Sequence, residues 1–224
     1  SQLRAQKLYT RPRTGLESTE FSMTRFLVPH LANYQGYAIF ADSDMLMLAD
    51  PAELQAEMAA MERTGEAVRV CKHDYTPSSE TKMDGQAQTT YPRKNWSSFI
   101  VFAAYRCRGL SPEYVNAETG LTIHRFLWLK DSYIGSLPLT WNWLVGEYPN
   151  QPSAKNLHYT LGGPWFRDYQ TCDRHQDWRD EYTHLTSPLS TGQAGFSRDG
   201  WFDFEERFSV PLSVRMAEPK PAAP

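Results

Sequence analysis

An α/β fold, a mixed central sheet flanked by helices, is what this 224-residue chain predicts. Three observations predict it. Tyr37 to Ala41 is an unbroken apolar run with aromatic and β-branched members, which reads as a strand buried on both faces. Phe99 to Ala103 (FIVFA) is a second run of the same kind. Between them, Asp50-Pro51-Ala52-Glu53 has the signature of a helix start, with Asp50 as the cap, Pro51 in the first turn and Glu53 completing a capping-box-like arrangement.

The first apolar run ends abruptly in Asp42-Ser43-Asp44, and Met45, Leu46, Met47 and Leu48 follow. In an open α/β sheet, ligands bind outside the carboxyl ends of the strands. Two acids placed there suggest a site for a hard divalent cation, which prefers oxygen ligands. The bare motif has no weight, because a chain with 12 Asp supplies roughly 0.6 such pairs by chance. Its position between a strand and a capped helix is what makes it a candidate.

The remaining elements follow in chain order. Leu3, Leu8 and Tyr9 suggest a short strand in a basic opening segment. Ser18-Thr19-Glu20 opens a helix carried by Phe21, Arg25, Phe26 and Leu27, which Pro29 kinks or ends. After Asp50, Leu54, Met58 and Met61 sit at helical spacing and Gly65 stops the helix. Ala67 to Cys71 reads as a strand that runs into Lys72-His73-Asp74. Thr76 to Arg93 is long and polar, either a lid over a substrate or a surface loop. Ser111-Pro112-Glu113 starts a short helix, Thr119 to Lys130 reads as a longer one, and Pro138 to Leu144 (PLTWNWL) as strand-like. Leu157 to Leu161 is apolar around His158 and leads into Gly162-Gly163-Pro164-Trp165. Two adjacent glycines let a backbone approach a ligand and turn its N–H groups toward phosphate. Asp173 to Glu181 is a charge-laced helix face.

Composition bounds the answer. With 41% apolar residues the chain can bury a sizeable core, and one domain over 1–218 with a disordered Pro/Ala tail over 219–224 is the expected organisation. A net charge of −3 gives no general pull toward nucleic acid. No apolar run approaches the roughly 18 residues of a membrane span. No signal peptide is read at the start. Cys71, Cys107 and Cys172 are odd in number and widely spaced, which fits a reducing, cytoplasmic setting better than a disulfide framework. Gly200 to Phe208 (GWFDFEERF) either docks on the domain or touches a membrane surface, making a membrane-peripheral location the variant of that expectation.

Several stretches together resemble bacterial glycosyltransferases of the GT-A superfamily, close to the family 8 group. They are STEFSMTRFLVPHL, GYAIFADSDMLMLADPAEL, KNWSSFIVFAAYRC, LPLTWNWLVGEYP and LHYTLGGPWF, in the family's order over roughly residues 16 to 170. The resemblance implies a Rossmann-like nucleotide-diphospho-sugar transferase fold. It implies a nucleotide-sugar donor, typically a uridine-diphosphate sugar, and a glycan, glycolipid or small-molecule acceptor. Asp42 and Asp44 match the family's metal-binding acids and His158 the later His that completes the site, usually for Mn2+, with Mg2+ as the other choice. Ser43 lies between the two acids. Gly162 and Gly163 fall where the family's chain wraps the diphosphate, Asn95, Trp96 and Ser97 where it faces the transferred sugar or acceptor, and Asn142 where an Asn lines the site. Retention of anomeric configuration is the family's habit.

Three departures stand out. Family members often carry a Lys just before the Pro-Trp; here that place is Gly163, so either a phosphate-binding cation comes from Lys72, Lys155 or Arg167, or the metal alone suffices. An Asp-Gln pair expected in the preceding helix is replaced by Ile123-His124-Arg125-Phe126, which makes His124 and Asn142 the catalytic candidates. Only about 35 residues precede the Asp-x-Asp strand, so either the chain lacks its natural first strand or the base pocket is incomplete. Two other readings stay open. One is a non-catalytic nucleotide-sugar or glycan-binding module on the same fold. The other is a haloacid-dehalogenase-type phosphatase, whose Asp-x-Asp is normally followed by a Thr where this chain has Leu46.

Overall fold

The computed structural model describes residues 2–12, 22–74, 81–82, 86–87, 93–149 and 151–187. Its first four-stranded sheet contains β1 (Tyr37–Ala41), β3 (Val68–Cys71), β6 (Phe99–Ala103) and β7 (Ile134–Leu137), in the order β1-β6-β3-β7. β6 runs antiparallel to both β1 and β3, and β3 is parallel to β7. The sheet is therefore mixed, as the sequence predicts. The carboxyl ends of β1, β3 and β7 and the amino end of β6 lie at one edge of it.

A second, three-stranded sheet orders β2 (Met45–Met47), β9 (Asn156–His158) and β8 (Trp143–Leu144). A third pairs β4 (Thr81–Lys82) with β5 (Gln86–Ala87). The helices are α1 (Gln2–Ala5), α2 (Val28–Leu31), α3 (Gln55–Thr64), α4 (Pro112–Ala117), α5 (Gly120–His124) and α6 (His175–Thr186).

The core lies on both faces of the first sheet, because β6 supplies both. Ile100 and Phe102 pack with Val68, Val70, Phe26, Leu27 and Phe126. Phe99, Val101 and Ala103 point the other way, onto Leu54, Met61, Leu137 and Trp141. All five residues of β6 are buried. Strand β1 behaves differently from the expectation. Ile39 is 37% exposed and Ala41 is exposed, because among the described residues β1 pairs on one side only and stands at the sheet's edge. An apolar run is the same signal for an edge strand and a central one, so the two-faced burial belongs to β6.

The start and stop of α3 are as the sequence reads. The Asp50 side chain accepts from the Ala52 N–H at 2.8 Å, a 3-10 turn covers Pro51–Leu54, and Gly65 closes the helix at φ 78°. Ser111 likewise caps α4.

Four local expectations are corrected. The N-terminal segment is helical over Gln2–Ala5, with Tyr9 buried beyond it, and is not a strand. Pro29 sits inside the first turn of α2, where a missing N–H costs nothing, after a 3-10 turn at Thr24–Leu27; it neither kinks nor ends a helix. The helix from Thr119 stops at His124, and Phe126 at φ 57° is left-handed, which breaks the run toward Lys130. Leu139–Asn142 forms a 3-10 turn, leaving only Trp143 and Leu144 as strand.

Most of 76–93, the segment 188–218 and the tail 219–224 lie outside the described residues, and with them Gly200 to Phe208. Contacts divide the chain into residues 1–179 and 180–224; of the second unit, 180–187 are described and carry the end of α6. Among the described residues no helix is long and apolar enough to cross a membrane.

Candidate metal centre

The Asp-x-Asp turn is the corner where the chain leaves one sheet and enters the other. On its first side, the Asp42 N–H donates to the Ser98 carbonyl at 2.9 Å, extending the β1–β6 ladder beyond Ala41. On its second side, β2 pairs with β9 with Met45 opposite His158, and the Tyr159 N–H donates to the Asp44 carbonyl at 2.9 Å. The register of that short apolar pairing is what carries His158, more than a hundred residues along the chain, to the two acids. Asp42, Asp44 and His158 each offer an oxygen or nitrogen ligand atom, all within 4.8 Å of one another.

His158 Nε2 lies 3.3 Å from Asp44 Oδ1, and its Nδ1 lies 2.9 Å from Asn142 Oδ1. The orientation of the Asn142 amide is fixed by its other end. Nδ2 points at the Ser98 hydroxyl oxygen (2.8 Å) and the Asn95 carbonyl (3.4 Å), and a carbonyl can only accept. Ser98 Oγ itself donates to the Asn95 carbonyl at 2.6 Å, leaving its lone pair for Nδ2. The Asn142 oxygen therefore faces His158, and Nδ1 must be the protonated nitrogen. Nε2 then presents a lone pair toward a carboxylate. A divalent cation seated between them would accept both lone pairs. Two carboxylates and an imidazole arranged this way fit a divalent cation.

Arg25 is the residue that sequence reading missed. It is buried, and its guanidinium grips Asp42 with Nη2 to Oδ1 at 2.8 Å and Nη1 to Oδ2 at 3.2 Å. Nη1 also donates to the Ser97 carbonyl (2.7 Å) and Nε to the Ser22 carbonyl (3.0 Å), while the group lies over the Phe40 ring. Burial pushes the Asp42 carboxyl above the ordinary carboxylate range, and the Arg25 charge pulls it back. Each carboxylate oxygen keeps a second lone pair, so the Arg25 contact leaves Asp42 able to ligate. The available signal was a lone arginine inside the apolar stretch FSMTRFLV.

The other expected residues are held by partners of their own. Ser97 Oγ meets His124 Nδ1 at 2.8 Å, and His124 Nε2 meets Ser22 Oγ at 3.0 Å, so both imidazole nitrogens are held by hydroxyls. Burial, then the Arg25 charge, lowers the His124 pKa to about 3, which keeps it neutral. Asn95 is left-handed at φ 62°, a conformation its short polar side chain tolerates. The Trp96 ring faces two cations, Lys72 Nζ at 5.6 Å and Arg93 at 5.3 Å, and its N–H donates to the His73 carbonyl. Lys72 Nζ donates to the Ile134 carbonyl at 2.7 Å, and Lys155 pairs with Glu53 at 2.6 Å. Ser43 is exposed at the tip of the turn, and Arg167 is exposed after the Pro-Trp. Gly162, at φ +133°, and Gly163 are buried beneath aromatic rings. A Cβ on Gly163 would lie 2.1 Å from the Trp165 indole, and one on Gly162 2.9 Å from the Tyr169 ring.

No family model matches the chain. Protein CDI of Arabidopsis thaliana is 48% identical to it over 191 residues, covering 81% of this chain and 71% of the plant protein. The chain belongs to the Protein CDI family. Among solved structures, the apo WbbM bifunctional glycosyltransferase aligns with a TM-score of 0.52 at 17% identity, over 82% of this chain and 38% of WbbM. The chain thus spans well under half of WbbM. Mouse xyloside xylosyltransferase 1, apo form, aligns at a TM-score of 0.40 and 12% identity, over 70% of this chain and 69% of that one. The WbbM alignment shows the fold of this Protein CDI family member, a GT-A-like α/β fold of the kind found in glycosyltransferases.

Proposed function

We propose that this protein is a metal-dependent glycosyltransferase. Its donor would be a nucleotide-diphosphate sugar, a UDP-sugar by the family 8 resemblance, and its acceptor a hydroxyl on a glycan, glycolipid or small molecule. The observation that carries the reading is the triad Asp42, Asp44 and His158, closed at the carboxyl end of a GT-A-like sheet. WbbM is named a glycosyltransferase, and only that class is carried over, not its substrates.

Asp42, Asp44 and His158 would hold Mn2+ or Mg2+; an imidazole beside two carboxylates tilts the choice toward manganese. Bound there, the cation supplies Lewis-acid stabilisation of the negative charge that gathers on the departing diphosphate. The chain's own residues prepare for it. Arg25 holds the Asp42 carboxylate at two points, and Asn142 fixes the ring and tautomer of His158. Asp42 is tied to the first sheet and Asp44 to the second, so the ligand spacing is set by two ladders. The transfer breaks the bond from the anomeric carbon to the phosphate oxygen and forms one to the acceptor oxygen. The acceptor's proton leaves with the diphosphate. The retaining outcome comes from the resemblance.

A second reading, a binding module without turnover, is favoured by one feature. The Gly163 backbone, expected to wrap the diphosphate, lies under the Trp165 indole. One experiment separates the two. Release of nucleoside diphosphate is measured across a panel of nucleotide sugars with Mn2+, for the chain and for Asp44→Ala. The transferase reading expects turnover of at least one donor and a loss of about 100-fold or more in the variant. Turnover indifferent to the substitution rules the site out, and UDP binding without turnover selects the module.

A further inference from the structure

We infer that Asn156 is a positioning residue of the metal centre, its one buried amide tying together the segments that carry Asp44, Asn142 and His158. This rests on the metal-centre reading above and adds to it what fixes the spacing of the parts.

Asn156 begins β9, two residues before His158, so both side chains leave the same face of the strand. Residues opposite one another in an antiparallel pair also share a face, and the β2–β9 register sets Met45 against His158 and Met47 against Asn156. That face looks into the core. Met45 and Met47 pack on the cluster of Leu54, Phe99 and Trp141, whereas Leu46 and Leu157 belong to a separate cluster. Asn156 is thus a fully buried amide in an apolar layer. A polar group in such a place is costly unless it is hydrogen-bonded.

Its nitrogen makes two contacts. Nδ2 donates to the Trp141 carbonyl at 3.0 Å and lies 3.1 Å from the Met45 sulfur, a weak acceptor. A carbonyl can only accept, so the nitrogen end of the amide is fixed there. Trp141 precedes Asn142, whose oxygen faces His158 Nδ1, and Met45 follows Asp44, whose Oδ1 faces His158 Nε2. One side chain therefore reaches the chain neighbours of both groups that flank the imidazole, and it does so from the strand that carries the imidazole.

The backbone makes a parallel tie at the preceding residue. The Lys155 N–H donates to the Thr140 carbonyl at 2.8 Å, and the Lys155 carbonyl accepts from Leu48 and Ala49. That tie ends farther along the chain from Asn142 and from Asp44 than the Asn156 contacts do. An apolar side chain could fill the layer at Asn156, but only a donor can hold the Trp141 carbonyl and, with it, the turn that presents Asn142.

The test is made on the whole chain with two variants. Asn156→Leu keeps the bulk and loses the donor; Asn156→Ala serves if the leucine overfills the site. Val115→Ala, in the core cluster on the other face of the first sheet, controls for loosening in general. Titration calorimetry reads Mn2+ affinity. The 15N chemical shifts of the His158 ring, taken without metal, read its tautomer. Both Asn156 variants are expected to lose the single Nδ1–H form and to bind Mn2+ about three- to tenfold more weakly, less than the loss of a direct partner of a ligand brings. Val115→Ala is expected to keep both properties. A folded Asn156 variant with the parent's Mn2+ affinity or its single tautomer overturns the inference, and so does an equal loss in Val115→Ala. If the parent binds no Mn2+, the metal reading falls and the tautomer alone decides the role of Asn156.

Discussion

The side-chain oxygen of Asn142 lies 2.9 Å from Nδ1 of His158. That contact decides which nitrogen of the imidazole is free to face Asp44. Replacing Asn142 with Ala removes the acceptor and leaves the ring free to rotate and to change tautomer. Partners one step removed from a metal ligand are worth roughly ten- to 100-fold in affinity. Asn142→Ala is expected to weaken Mn2+ binding by about that factor, read by titration calorimetry. The 15N chemical shifts of the His158 ring should show loss of the single Nδ1–H form. Unchanged affinity with an unchanged tautomer would mean that the ring is held by packing alone.

Gly163 makes a second prediction, about stability and not binding. A Cβ there would meet the Trp165 indole at 2.1 Å, so the ring would have to leave its packing against Tyr159 and Trp178. Gly163→Ala is expected to cost about 1–3 kcal/mol, the range for forcing an extra group into a packed site. Chemical denaturation checks it. A variant as stable as the parent would show that the indole swings away freely, and then the glycine backbone beneath is open to ligand after all.

Much of this centre was legible because its signals are local. Apolar runs, a capped helix and a paired-acid turn each announce themselves within a few residues; Asp50 and Gly65 start and stop α3 as their sequence contexts predict, and Asp42 and Asp44 lie close enough to His158 to share an ion. What was illegible depends on pairing. Nothing within Tyr37 to Ala41 distinguishes an edge strand from a central one; that is set by which strand lies beside it. The β2–β9 register, which delivers His158, comes from two three-residue segments too short to carry a periodic pattern. Arg25 was passed over as a helix residue because its partner, Asp42, is remote from the helix pattern that surrounds it. The left-handed Phe126 ended a helix that residue preferences alone would have extended, a case of tertiary packing overriding propensity.

His124 yields the third prediction, on pH. Its ring sits between the hydroxyls of Ser22 and Ser97, and burial, followed by the Arg25 charge, lowers its pKa from 6.5 to about 3. His73, next to Tyr148, is lowered to about 3 as well, by burial and then by His158. Between those two values the unfolded chain binds a proton at each histidine that the folded chain does not. Their contribution to stability is therefore complete above pH 6.5 and is lost as the pH falls toward 3. Where a histidine is charged only in the unfolded state, the slope approaches about 1.4 kcal/mol per pH unit. Urea unfolding at pH 7, 6 and 5, above the range where most carboxylates titrate, should show stability falling with acid. His124→Gln can still hydrogen-bond to both serines and cannot take the proton, so it should flatten that fall by about one histidine's share. An identical pH slope in the variant would show that His124 is reached by water and titrates like an exposed imidazole.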